Sequence, residues 1–304
     1  MTVRPDGFVD VIIGTQPAGQ GHQTSFAQVV ADLLCVPSET VRIIMGDTDV
    51  VKAGGGTHSG RSMRHAATVF SIGAVQMIAK GKRLAAIVLG AGPVQIDFDD
   101  GRFSARGTNR SFDFLELAQE LTKYDLPDDL AAGLTVIADN EMHDPVFPNG
   151  CAICEIEVDP DTGGLTLTRY ASVDDVGRCI NPLIVHGQTH GAIAQGIGQA
   201  LWEQCVIDDT SGQPLCGSLM DYGMPRSDTL PSFTTQIVEV LSPTNPLGIK
   251  AGGEGGTTAA LAVIISAIVD ALSSFGVQDI RMPATPDKIW QLIQDARAKS
   301  AKVT

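Results

Sequence analysis

Residues 183 to 204 read as a helix with more glycine than a free-standing helix tolerates, and that most restricts how this chain can fold. In Gly191-Ala192-Ile193-Ala194-Gln195-Gly196-Ile197-Gly198-Gln199 each glycine costs about 1 kcal/mol relative to alanine. Such a helix persists only where something packs closely against it. A neighbouring helix meets the need, and so does a bound cofactor. A second glycine cluster points to chemistry. Gly248-Ile249-Lys250-Ala251-Gly252-Gly253-Glu254-Gly255-Gly256-Thr257-Thr258 leads into an apolar helical pattern over 259–272 and places two glycines on each side of one carboxylate, Glu254. Glycine lets backbone approach a ligand, and amides at a helix start favour an anion. A flexible turn capped by Thr257 or Thr258 fits the same residues.

The chain has 304 residues, 43% of them hydrophobic, enough for a sizeable core in one or two domains. Its net charge of −14 excludes a nucleic-acid surface, which needs clustered Lys and Arg against phosphates. No apolar run reaches the roughly 20 residues of a membrane span. The first residues, Met-Thr-Val-Arg-Pro-Asp-Gly, lack the apolar stretch of a signal peptide, so the expected location is cytoplasmic. Cysteines at 35, 151, 154, 179, 205 and 216 are too sparse for a secreted disulfide framework and are expected as reduced thiols. Cys151 and Cys154 have metal-pair spacing, but on the strand predicted there residues three apart face opposite ways. The close set of four cysteines that an iron–sulfur cluster needs is missing.

Along the chain, residues 7–14 predict a strand, followed by the loop Gly19-Gln20-Gly21-His22-Gln23-Thr24 and a helix over 25–34 capped by Thr24 or Ser25. A turn at 37–40 and a strand at 41–47 complete a compact unit. The loop Ala53-Gly54-Gly55-Gly56-Thr57-His58-Ser59-Gly60-Arg61-Ser62 offers amides, hydroxyls and a guanidinium to a phosphate-bearing ligand, ahead of a long helix to about Leu89. A small hairpin is expected around Asp99-Asp100-Gly101, and a helix over 112–124 capped near Ser111. A Pro- and Asp-rich stretch at 125–149 suggests a boundary, giving subdomains 1–140, with the glycine-rich loops, and 141–304, with the glutamate. In the second, strands at 152–159 and 165–170 form a hairpin through Asp161-Thr162-Gly163-Gly164, a turn spans 174–182, and another strand covers 233–240. Without a steady βαβ rhythm, the fold class expected is α+β.

Single motifs decide little. Gly19-Gln-Gly21-His-Gln-Thr24 approaches a dinucleotide fingerprint, but the acidic partner about 20 residues on would be Glu39, in a turn. GxSxG is missing, and His186 with His190 lacks the glutamate of HExxH, residue 187 being glycine. In combination, several glycine-rich loops and one glycine-framed carboxylate suit a large phosphate-bearing cofactor with Glu254 as base.

The ordered set is more telling: Gly19-Gln20-Gly21-His22-Gln23-Thr24, Gly46-Asp47-Thr48, Gly56-Thr57 with Arg61-Ser62, Glu157-Val158-Asp159 with Thr162-Gly163, Asn181-Pro182, Gln195-Gly196, Asp221-Tyr222 with Met224-Pro225, and Gly248-Ile249-Lys250 with Gly253-Glu254. Along nearly the whole chain it resembles the xanthine dehydrogenase family, in particular the C-terminal half of the molybdenum-binding subunit. The resemblance implies a molybdenum-pyranopterin cytosine dinucleotide cofactor, its metal carrying a terminal sulfido or related ligand. Gly19, Gln20, Gly21 and Thr24 would lie at the pterin, with Gln20 near molybdenum and no protein atom ligating the metal directly. Ser59, Gly60, Arg61 and Ser62 would receive the dinucleotide, and Gln195 and Gly253 would complete the contacts. Glu254 matches the family's general base, in a closed, water-poor pocket of the kind that raises a carboxylate's pKa.

The activity implied is hydroxylation of an N-heteroaromatic ring, nicotinate- or purine-like, with water as oxygen source. Aldehyde oxidation and a noncatalytic assembly or cofactor-carrying role are the alternatives. Where the family usually has Gly-Ser-Arg-Ser this chain has Ser59-Gly60-Arg61-Ser62, and Ala251 stands where glycine is usual. The first half of the molybdenum subunit and the iron–sulfur and FAD modules have no counterpart here. The expectation is therefore a medium subunit, as in a split nicotinate dehydrogenase, working with a larger molybdenum-domain chain, a [2Fe-2S] chain and an FAD chain.

Overall fold

In the computed structural model, which describes residues 1–301, the chain divides into two units. One is Met1–Val146 with Leu241–Lys250, the other Phe147–Val240 with Ala251–Thr304.

The first unit begins with β1 (Thr2–Val3), β2 (Val9–Ile12) and β3 (Val41–Ile44). β1 runs antiparallel to β2, and β3 parallel to it. A parallel pair needs a crossover, and α1 (His22–Leu34) supplies it, burying Phe26, Val29, Val30 and Leu34 at helical spacing. The helix starts three residues before the predicted position. Gly21, left-handed at φ 69, occupies the N-cap, so Thr24 and Ser25 lie inside the helix and neither caps it. α2 (Arg61–Leu89) is the predicted long helix and begins from another left-handed glycine, Gly60 at φ 61. The expected hairpin gains a third strand: β4 (Ile96–Asp99), β5 (Arg102–Ala105) and β6 (Ser111–Asp113) form an antiparallel meander. Ser111 therefore belongs to β6, and the cap of α3 (Phe114–Glu120) is Asp113. Asp113 Oδ1 accepts from Glu116 N at 2.8 Å, while Glu116 Oε2 accepts from Asp113 N at 2.9 Å.

In the second unit β7 (Asn149–Val158) pairs antiparallel with β8 (Leu165–Asp175), which pairs parallel with β9 (Phe233–Val238). β8 extends through Asp175, into residues expected as a turn. Along β7, Ala152, Cys154, Ile156 and Val158 pack on the core while Cys151, Ile153, Glu155 and Glu157 are exposed, the period-two pattern of a half-buried strand. α4 (Pro182–Leu201) starts at Asn181, whose Oδ1 accepts from Ile184 N at 3.1 Å. α5 (Gly255–Ala271) packs on α4 and β7, and α6 (Pro286–Ala301) completes the core around Ile193, Ile197, Ile264, Ile268 and Ile289. Each of these fully buried side chains contributes about 1.5–3 kcal/mol.

The glycine-rich helix finds its neighbour in α5. A methyl on Gly196 would stand 2.7 Å from Ala260 Cβ and 2.8 Å from Thr257 O, and one on Gly256 would stand 2.8 Å from Thr189 O. Helix–helix contact therefore accounts for Gly196. The separate sheets, one mixed, one meander and one mixed again, make the architecture α+β as expected. Among the described residues no helix is long and apolar enough to cross a membrane.

Candidate functional site

In the first unit the two glycine-rich loops cross where Gly14 meets Ala53 and Gly54 backbone to backbone. A Cβ on Gly14 would collide with Ala53 O and Gly54 Cα, and one on Gly54 with Gly14 O. Gly55 N donates to Gly14 O at 3.1 Å, fixing the crossing. Beside it lies a knot of hydroxyls. Thr15 Oγ1 is 2.7 Å from both Thr57 Oγ1 and Ser62 Oγ, and 3.2 Å from Gly56 O. Thr15 and Ser62 are buried, so this network ties the loop after β2 to the first turn of α2.

Of the predicted first-unit residues, Ser62 and Arg61 are tied to that crossing through Thr15 and Gly56. Arg61 Nη1 donates to Gly56 O at 3.2 Å, and Ser59 adopts a left-handed φ of 51, uncommon for a residue with a side chain. Gly19, at φ 116, and Gly21 shape the first loop, with no atom near the place of a Gly19 Cβ. Gln20 Oε1 accepts from Ala18 N at 2.5 Å and holds that loop in its bend. Thr24 is exposed. Neither α1 nor α2 receives a side-chain cap; backbone carbonyls take up part of the slack, Arg61 N donating to His58 O at 3.0 Å and Thr24 N to Gly21 O at 3.1 Å. His22, which sequence reasoning set aside, is buried beneath the loop, stacked on Phe26 at 4.7 Å, and its Nδ1 has no hydrogen-bond partner. Burial holds its pKa below the ordinary imidazole value.

In the second unit Glu254 occupies the N-cap position of α5 without a side-chain cap bond. Thr257 and Thr258 lie inside the helix, donating to Ala192 O and Glu254 O at 3.0 Å, so the capping role expected of them does not exist. Glu254 lines a cavity of about 320 Å³ with Asn149, Gly150, Asp174, Val176 and Thr258. The carboxylate is exposed, not enclosed as a water-poor pocket would have it. Gly253 has open space where a Cβ would stand, whereas at Gly252 one would approach Val176 Cγ1 to 3.2 Å. Gln195, on α4, is exposed and is not among the residues lining this cavity.

Sequence reasoning missed Asp174. It shares the cavity with Glu254, accepts from Ser172 Oγ at 2.9 Å, and lies within 3.3 Å of where a Gly255 Cβ would be. The available signal was Asp174-Asp175 at a strand end. The neighbouring Asp175 is structural: its Oδ1 accepts from Gly177 N and Val240 N, both at 3.0 Å. His186 and His190 share one partner, Thr235 Oγ1, at 2.8 and 3.1 Å. Cys154 faces Val263 O at 3.6 Å while Cys151 is exposed, the opposite-face arrangement expected of them. Among the described residues no group of three or more His, Cys, Asp or Glu is placed to hold a metal ion.

Residues 1–231 match the family model described as a molybdopterin cofactor-binding domain. The 6-hydroxypseudooxynicotine dehydrogenase complex subunit gamma of Paenarthrobacter nicotinovorans is 37% identical over 294 residues, 95% of this chain and 36% of that protein. The carbon monoxide dehydrogenase large chain of Hydrogenophaga pseudoflava is 30% identical over 96% of this chain and 36% of its own length. Among solved structures, quinoline 2-oxidoreductase from Pseudomonas putida 86 superposes with a TM-score of 0.86 at 33% identity, over 97% of this chain and 38% of that one. The chain thus spans little more than a third of the length of these relatives.

Proposed function

Since the chain belongs to the molybdopterin cofactor-binding domain family, among relatives of the xanthine dehydrogenase type, we propose that it is the part of a molybdenum hydroxylase that cradles the cofactor and supplies the base. The observation that carries this reading is the crossing of the two glycine loops at Gly14 and Gly54, with the hydroxyls of Thr15, Thr57 and Ser62 gathered beside it. The donors fit a pterin bearing phosphates: helix starts without a side-chain cap, backbone opened by left-handed glycines, and the Arg61 guanidinium. Gly19, Gln20, Gly21 and Thr24 hold the pterin end, Ser59, Gly60, Arg61 and Ser62 the dinucleotide end, and Gln195 and Gly253 make the remaining contacts. The dinucleotide is cytosine-bearing.

The bound cofactor supplies a two-electron redox centre, with water as the source of oxygen. Glu254 takes the proton of the attacking water-derived oxygen on its carboxylate, and the glycines around it leave room for cofactor and substrate. The substrate is an N-heteroaromatic ring. Support for that class comes from the 37% identity to a 6-hydroxypseudooxynicotine dehydrogenase subunit and 34% to a nicotine 6-hydroxylase large subunit, against 30% to a carbon monoxide dehydrogenase. The rest of the pocket, the [2Fe-2S] clusters and the FAD come from partner chains.

The test uses the assembled complex with Glu254→Gln. Turnover of an N-heteroaromatic panel should fall by about 10²–10⁴ with molybdenum and pterin content unchanged. Surviving turnover with full molybdenum would remove Glu254 from the role of base. Oxidation of carbon monoxide or aldehydes in preference to heteroaromatics by the unmodified complex would overturn the substrate class.

A further inference from the structure

Between α4 and β9 the chain makes a short hairpin with a fixed register. Ile207 and Pro214 face each other in an antiparallel bridge. Leu215 N donates to Val206 O at 2.8 Å and Asp208 N to Gln213 O at 2.9 Å. Asp208 ties the turn, its Oδ1 accepting from Ser211 N at 2.7 Å and Ser211 Oγ at 2.6 Å. Continued by two residues, this register sets Cys205 directly opposite Cys216. Pairs 206/215 and 208/213 are the hydrogen-bonded ones, so 207/214 and 205/216 are the narrow pairs, with Cα atoms about 4.5 Å apart. A disulfide spans Cα separations of about 4.4–6.8 Å.

At that end of the hairpin Val206 N donates to Cys216 Sγ at 3.3 Å, which holds this sulfur beside the opposite strand. Cys205 is exposed and Cys216 half-buried, so both are within reach of a small reagent. Elsewhere the thiols of Cys35 and Cys154 point at backbone carbonyls, those of Asp32 and Val263.

We propose that Cys205 and Cys216 are a modification site that forms a reversible disulfide by exchange with a low-molecular-weight disulfide of the glutathione type. The Cys216 thiol gives its proton to solvent, and the thiolate attacks one sulfur of the small disulfide, expels its partner as thiolate, and becomes a mixed disulfide. Cys205 then gives its proton to that leaving thiolate and attacks the Cys216 sulfur, releasing the second small thiolate, which takes back from solvent the proton that Cys216 lost. Two protein S–H bonds are exchanged for one S–S bond, and the small disulfide is reduced to two thiols. The order follows from the neighbouring Cys216 thiol, which raises the pKa of Cys205 above the usual thiol value and keeps the proton there. The bond would staple the segment that follows α4 to the approach to Tyr222, whose hydroxyl donates to Glu203 Oε2 at 2.6 Å.

The test is incubation of the full chain in glutathione buffers of graded redox ratio, followed by acid quench, alkylation and peptide mapping. The expected result is one crosslinked peptide, Cys205 and Cys216 losing alkylation together while the exposed Cys35 and Cys151 remain alkylated. In Cys205→Ser, Cys216 should be trapped as a glutathione adduct, because no second thiol resolves it. Separate adducts on Cys205 and Cys216 without the crosslink would overturn the proposal, as would a crosslink that forms only in unfolding concentrations of urea.

Discussion

Three glycines of one helix should respond to alanine with opposite signs. At Gly187 and Gly191 an added Cβ meets nothing within 4 Å, so only the backbone matters, and each substitution should stabilise by about 1 kcal/mol. At Gly196 the methyl would stand 2.7 Å from Ala260 Cβ and 2.8 Å from Thr257 O. Ordinary carbon contacts lie near 3.5–4.0 Å, so α5 must retreat by about 1 Å. Overpacking of that kind costs about 1–3 kcal/mol. The retreat also stretches the 3.0 Å bond from Thr257 Oγ1 to Ala192 O, a contribution of about 1 kcal/mol. Against the helix gain of about 1 kcal/mol, Gly196→Ala should destabilise by about 1–3 kcal/mol. Urea unfolding followed by tryptophan fluorescence isolates this unit, because both tryptophans of the chain, Trp202 and Trp290, belong to it. A Gly196→Ala chain as stable as the parent, or a Gly187→Ala chain less stable than it, would refute the packing argument.

Ser62→Ala leaves Thr15 and Thr57 with a broken buried network and should cost the first unit about 1–3 kcal/mol; it should also lower pterin retention in the assembled complex. Thermal unfolding and pterin assay check the two effects, and an unchanged midpoint would contradict the network's role. The folded pKa of His22 lies below 6.5 because burial disfavours the cation. The unfolded chain thus takes up a proton near pH 6.5 that the folded chain refuses, so this contribution is present above that pH and is lost as pH falls through 6.5 toward the folded pKa. Proton NMR of the His22 ring, with His22→Gln to assign it, should show titration below 6.5, and a midpoint above that value would reverse the sign.

Much of the fold was legible because its signals are local. Apolar spacing gave α1, alternation gave β7, and the turn Asp161-Thr162-Gly163-Gly164 gave β8 as its hairpin partner. The misread ends share one cause. Thr24, Ser25 and Ser111 were favoured as caps for their hydroxyls, and Thr257 or Thr258 suited the alternative of a plain turn, yet the helices start at Gly21, Asp113 and Glu254. At Gly21 a left-handed backbone turns the chain into the helix without a side-chain acceptor. Nothing local announces that choice, because it depends on the loop that precedes it. Pairing was harder still: a strand was expected at 233–240, but its parallel place beside β8 joins residues more than sixty apart in sequence.

The glycines separate into two kinds, and the separation bears on the proposed site. Gly14, Gly54, Gly196 and Gly256 are filled from within the chain: backbone or a helix stands where their Cβ atoms would be. Gly19, Gly56, Gly187, Gly191 and Gly253 face open space. Packing explains the first group completely. For Gly19 and Gly56 left-handed backbone is sufficient reason, but Gly187, Gly191 and Gly253 have neither a crowded neighbour nor a positive φ to account for them. A glycine that costs helix stability and touches nothing in its own chain leaves room for something outside it. Under the proposed function Glu254, exposed beside Gly253, raises the same requirement from the chemical side, because a base working away from bulk water needs a cover. For a chain spanning 36% of the length of these relatives, the proposed function puts the cofactor and the remaining protein at the open glycines and the uncovered carboxylate.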